Sequence, residues 1–178
     1  GLVQRRRVFG KMEQGFGSKI ERTWKSKIIE KFANRSPHAT ETGADIEATN
    51  KNLRSVLSFA MTSESPLEVV KLLVDSGADI ESRDLNGNTP LMWAALLSGN
   101  SEKVKLLLES RANIEASNVD GWTSLMFAAI GKNEETLQVL LDYGALSQRV
   151  LLDSSERNAW DLIQGNQHLK GSQAYWRL

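Results

Sequence analysis

The chain has 178 residues, 40% of them apolar, and balances 22 Lys/Arg against 22 Asp/Glu. That suits one domain, or one repeat array with an extra segment. It contains no cysteine, which excludes disulfides, thiolate metal sites and a cysteine nucleophile and fits a reducing, cytoplasmic setting. No stretch approaches the ~18 apolar residues needed to cross a bilayer, and the Gly1 start, without an initiator Met, reads as that expected of a fragment or a processed chain.

The charge is unevenly placed. Residues 1–35 hold ten Lys/Arg against three Asp/Glu, while residues 36–178 hold twelve against nineteen. Residues 1–17, including Arg5-Arg6-Arg7, show no periodicity and read as a mobile basic segment. From Ser18 the run Ser-Lys-Ile-Glu is a capping box, and Ile20, Trp24, Ile28 and Phe32 recur at every fourth residue. The region 18–42 is therefore predicted to be an amphipathic helix that ends before Ser36-Pro37, followed by a linker. Its plain role is to cover the first repeat with the apolar stripe. A sharper role is membrane or partner contact through 18–35, because Arg22, Lys25, Lys27 and Lys31 leave the rest of it basic.

Beyond residue 42 the chain repeats itself. Gly43-Ala44, Gly77-Ala78, Arg111-Ala112 and Gly144-Ala145 are spaced by 34, 34 and 33 residues. In phase with them run Ser55-Val56-Leu57, Thr89-Pro90-Leu91 and Thr123-Ser124-Leu125, and a third set supplies Val69-Val70-Lys71-Leu72-Leu73, Val104-Lys105-Leu106-Leu107-Leu108 and Leu137-Gln138-Val139-Leu140-Leu141. Each block reads as turn, helix, short loop, helix. Thr89 is an N-cap with Pro90 at the first helical position, and Ser65-Pro66-Leu67-Glu68 supplies cap, N1 proline and capping-box Glu for a second helix. Such short helices are marginal alone and need neighbours. The units are 43–76, 77–110 and 111–143, with 144–178 a degenerate C-terminal capping repeat whose last helix is expected from Gly171 to Leu178.

Over residues 43–178 this pattern resembles the ankyrin repeat family, most clearly in Asp84-Leu85-Asn86-Gly87-Asn88-Thr89-Pro90-Leu91 followed by Ala94-Ala95. The resemblance implies an all-α solenoid of stacked helix-turn-helix pairs with hairpin-like loops at one edge. The family's histidine after Pro-Leu is replaced by Ser58, Met92, Met126 and Asp161, so methionine is expected to fill that space. Arg111 stands where a turn glycine takes positive φ, which predicts local strain.

The resemblance also implies where a partner protein binds: on loop tips and the exposed side of helix one. The main candidates are Arg83, Leu85, Asn86, Asn88, Leu96, Leu97, Val119, Asp120, Trp122 and Ile130. Lys51, Asn52, Arg54, Thr62 and Ser63 form a polar end, Gly131 lies beside Ile130, and Ser154, Ser155 and Arg157 occupy the last repeat. Trp122, beside Leu85 and Val119, is expected to project as the anchor, whereas Trp93 and Phe127 read as core.

No catalytic, cofactor or metal site is predicted. His38 and His168 are isolated, the recurring Asp and Glu residues belong to the scaffold, and no phosphate loop is present. The chain reads as a monomeric, non-enzymatic interaction module for another protein. Nucleic acid is disfavoured because the array is acidic, although a basic arm binding membrane or nucleic acid is the rival reading. If the front helix covers the array, Trp24→Ala should lower array stability by about 3 kcal/mol in urea unfolding; an unchanged midpoint with solvent-like Trp24 fluorescence would mean a free arm.

Overall fold

The computed structural model describes residues 46–177 apart from 63, 64, 98, 99, 132, 146–152, 154 and 168. The expected basic segment 1–17, the amphipathic helix within 18–42 and the first Gly43 turn lie outside the described residues.

Within them the chain forms helices α1 (Val56–Thr62), α2 (Leu67–Asp75), α3 (Pro90–Leu96), α4 (Ser101–Glu109), α5 (Ser124–Ile130), α6 (Glu134–Asp142), α7 (Ala159–Gln164) and α8 (Gln173–Arg177). The only β pairing among the described residues is two isolated antiparallel bridges, Thr49 with Ser55 and Ser117 with Thr123. The helices alternate between two rows. α1, α3, α5 and α7 stack in sequence as one row, and α2, α4, α6 and α8 stack as the other. Helices of five to nine residues cannot persist in isolation, so the stack supplies what each lacks.

Caps set where the helices begin. Thr89 and Thr123 have extended backbones, and their hydroxyls accept the N–H groups of Met92 and Met126. Asn158 Oδ1 accepts from Asp161 N at 3.0 Å, and the Asp161 carboxylate in turn accepts from Asn158 N at 3.0 Å. The expected capping box at Ser65–Glu68 does not form. Pro66 itself takes the N-cap position (φ −57°, ψ 150°) with no side-chain cap, which puts Glu68 at the second helical position instead of the third that a capping box needs.

Leu57, Leu91 and Leu125 on the first row and Leu73, Leu107 and Leu140 on the second are buried at the row-to-row contact. Ala60, Ala94 and Ala128 are fully buried, which lets successive first-row helices approach closely. Met92 and Met126 lie in the core at 0% and 1% exposure, filling the volume beneath the hairpins as expected.

The chain leaves α2, α4 and α6 through a left-handed residue: Gly77 (φ +86°), Arg111 (φ +69°) and Gly144 (φ +87°). Glycine adopts this conformation freely, whereas a side chain costs about 1–2 kcal/mol, partly offset by the greater unfolded-state freedom of glycine. Arg111 is exposed and carries that strain. Arg111→Gly should raise unfolding stability by about 0.5–1 kcal/mol in urea denaturation, and a lower midpoint for the variant would contradict this.

Candidate protein-binding face

One loop precedes each first-row helix, and each is organised by a single side-chain oxygen. Asn50 Oδ1 accepts from Asn52 N (2.9 Å) and Arg54 N (3.1 Å). Asp84 Oδ1 accepts from Asn86 N and Asn88 N, both at 2.9 Å. Asn118 Oδ1 accepts from Asp120 N (3.0 Å) and Trp122 N (2.9 Å), and Asp153 Oδ1 from Ser155 N (2.8 Å) and Arg157 N (2.9 Å). In every loop the backbone N–H of this residue also donates to the carbonyl four residues on. The result is a tight hairpin in which Leu53, Gly87, Gly121 and Glu156 have positive φ.

Neighbouring hairpins are zipped together by backbone. Leu85 N donates to Asn52 O and Val119 N to Asn86 O, each at 3.0 Å. A Cβ on Gly87 would stand 3.2 Å from Val119 N, so the second tip tolerates this approach because it is glycine with φ +75°. On the turns leading to the hairpins, Glu47 Oε1 accepts from Asp79 N (3.2 Å) and Glu81 Oε1 from Asn113 N (2.7 Å), which places these carboxylates in the scaffold.

The candidate residues divide on this frame. Leu85 (61% exposed), Val119 (71%), Leu97 (38%) and Ile130 (42%) present bare aliphatic side chains. Asn86 and Asp120 are exposed at the tips. Arg83 is exposed but occupied, its Nη1 donating to Gly87 O (3.0 Å) and Ser117 O (2.8 Å) across two hairpins. Leu96 is half-buried.

Three expectations are corrected. Asn88 is buried, with its carboxamide donating to Asp84 Oδ2 (3.2 Å) and accepting from Asn118 Nδ2 (2.9 Å), so its side chain ties hairpins together instead of standing exposed at the tip. Trp122 does not project from the scaffold. It is half-buried, packs on the core and sits 5.4 Å from the Phe127 ring, with the Arg157 guanidinium 5.7 Å above it. Gly131, the C-cap of α5 beside Ile130, is also buried, its Cβ position 3.0 Å from Leu96 O.

Trp93 and Phe127 are half-buried and not full core. Trp93 Nε1 donates to Asp84 Oδ2 at 3.0 Å, and the Arg54 guanidinium lies 4.1 Å over the indole. Burial pulls the Arg54 pKa down while Asp84 opposes that, and the group remains a cation. At the other end Arg157 donates through Nε (3.0 Å) and Nη2 (2.8 Å) to Asp153 Oδ2. Desolvation works against the Asp153 charge, but the N–H groups and guanidinium of Arg157 and the Ser155 N–H outweigh it and hold the carboxyl below its ordinary pKa.

Stacked helix pairs with a zipped hairpin edge define a helical-repeat solenoid, whose extended ridge carries side chains that the stack itself does not need. The chain belongs to the ankyrin repeat family: the model for ankyrin repeats in three copies matches residues 36–118 and again 57–150. No curated protein matches the chain. Among the described residues no group of three or more His, Cys, Asp or Glu is placed to hold a metal ion, and no helix is long and apolar enough to cross a membrane.

The Asp153 contribution has a defined pH sign. A depressed folded-state pKa gives stability that is complete above the unfolded carboxylate value and disappears as pH falls through the folded value. Asp153→Asn keeps the Oδ1 acceptor used by Asn50 and Asn118 but drops the charged partner of Arg157. Its stability deficit relative to the parent, measured by urea unfolding at successive pH values, should shrink on acidification below the ordinary carboxylate range. A deficit independent of pH would contradict this.

Proposed function

We propose that the chain is a non-catalytic module that binds another protein on the hairpin tips and the outward side of α1, α3 and α5. The ankyrin repeat family generally serves protein–protein interaction, and the match is to repeats alone. The observation that carries the reading is the row of exposed aliphatic side chains Leu85, Val119, Leu97 and Ile130 on a ridge whose backbone is already satisfied. Apolar side chains held bare by a rigid frame gain from a partner that takes them out of water without new ordering cost. None of them closes a hydrogen bond of the scaffold through its side chain, so the fold does not require their chemistry.

The test uses a partner recovered by affinity purification on the full chain and then purified. Leu85→Asp combined with Val119→Asp should weaken its binding at least tenfold, about 1.4 kcal/mol, while the unfolding midpoint barely moves. Deleting residues 1–35 should leave that partner bound. Retained affinity in the double variant, or a salt-sensitive loss on deletion, would transfer the binding site to the basic front segment.

A further inference from the structure

The residue immediately before each first-row helix's N-cap position is Arg54, Asn88, Trp122 and Arg157 in successive repeats. The scaffold uses this residue's backbone, through the N–H bonded to Asn50, Asp84, Asn118 or Asp153, and accepts four different surroundings for its side chain. Arginine at 54 is therefore a property of this chain and not a demand of the repeat.

Arg54 and Arg157 differ in what holds them. Arg157 donates twice to the Asp153 carboxylate. Arg54 forms no ion pair among the described residues, and the two oxygens of Asp84 are taken by Asn86 N, Asn88 and Trp93 Nε1. Its side chain runs along α1, where Nη2 donates to Ser58 O at 3.0 Å and to Thr62 Oγ1. Its Nε is buried without a partner, and its plane is stacked on Trp93 at 4.1 Å. This guanidinium is desolvated on one face and fixed in position, and the nearby Asp84 carboxylate acts on it only at a distance because its oxygens are bonded elsewhere. Helices α1, α3 and α5 carry no acidic or basic residue, so the surface leading away from it towards Leu97 and Ile130 is uncharged.

We propose that the partner is an extended acidic-and-apolar peptide segment that places one carboxylate on Arg54 and an aliphatic or aromatic side chain on Leu97 and Ile130. This rests on the binding-face reading above. A guanidinium pre-ordered by stacking and partly stripped of water loses less on pairing than a free surface arginine, and its plane favours a carboxylate. Arg54 and Ile130 stand two repeats apart, roughly 20 Å at ordinary helix spacing, or about six residues of extended chain. The carboxylate and the apolar anchor should be separated by about that number.

The experiment selects 12-residue peptides from a random displayed library on the full chain, then measures synthetic selected peptides by fluorescence anisotropy. Expected is enrichment of Asp or Glu about six residues from a large apolar residue. The Glu→Gln peptide and the Arg54→Gln chain should each lose about tenfold in affinity, and the two changes together should lose no more than one alone. Arg54→Lys, which keeps the charge without the stacked plane, should fall between, and circular dichroism checks that each variant is folded. Selected peptides lacking an acidic position, or full affinity in Arg54→Gln combined with loss in Leu97→Asp, would overturn the carboxylate contact and leave the binding face in place. Failure to enrich any peptide sensitive to Leu97→Asp would overturn both. Equal binding of a single-stranded RNA with the same Arg54 dependence would assign the site to phosphate and overturn the peptide.

Discussion

One side-chain oxygen per hairpin holds the functional edge of this molecule. Asn50, Asp84, Asn118 and Asp153 each accept two backbone N–H groups of the loop that follows. Those N–H groups converge on one oxygen at a tip too tight to pair them all with carbonyls, so the acceptor fixes the turn. With them satisfied, the carbonyls of Asn52 and Asn86 are free to receive the next tip, and separate loops become one ridge. Everything displayed there, from Leu85 to Val119, inherits its position from that bond.

The same arrangement explains how chemistry varies on a constant frame. Asparagine and aspartate serve equally as acceptor through Oδ1, and only the other head-group atom, Nδ2 or Oδ2, differs in what it recruits. Asp84 uses it to fix Trp93 and Asn88, whereas Asp153 uses it to hold Arg157. The third hairpin, with Asn118, instead sends its amide to Asn88.

Much of the fold was legible because it is local. Helix starts at Thr89 and Thr123 and left-handed exits at Gly77, Arg111 and Gly144 depend on residues within one turn of each other, and the period repeats them until they cannot be mistaken. The capping box at Ser65 failed for an equally local reason, since Pro66 preferred the cap position. The acceptor residues were open to detection too, at spacings of 34, 34 and 35, but they resemble any polar loop residue until their bonds are seen. Positions that depend on the next repeat were the ones missed. Asn88 looks like an exposed tip residue and is buried by Asn118, thirty residues later, while Trp122 owes its half-buried state to Phe127 and Arg157. Arg54 on Trp93 likewise requires two repeats in register. Exposure in a solenoid is decided between repeats, where a single block carries no information.

A set of asparagines gives the array a direction. Asn100 Nδ2 donates back to Met61 O (2.8 Å), Asn133 Nδ2 to Leu97 O (3.2 Å), and Asn166 Nδ2 to Ala129 O (2.9 Å) and Gly131 O (2.6 Å). Lys103 adds a bond from its buried ammonium to Ala60 O at 3.1 Å. Each repeat thus quenches carbonyls at the end of the preceding first-row helix, groups that would otherwise be stranded. Peeling the stack from its last repeat therefore uncaps the helix behind it, and fraying travels as a front through the molecule instead of stopping at a loose end. Under tension applied at that end, the molecule should surrender length in repeat-sized steps, each released by the rupture of one such amide clasp.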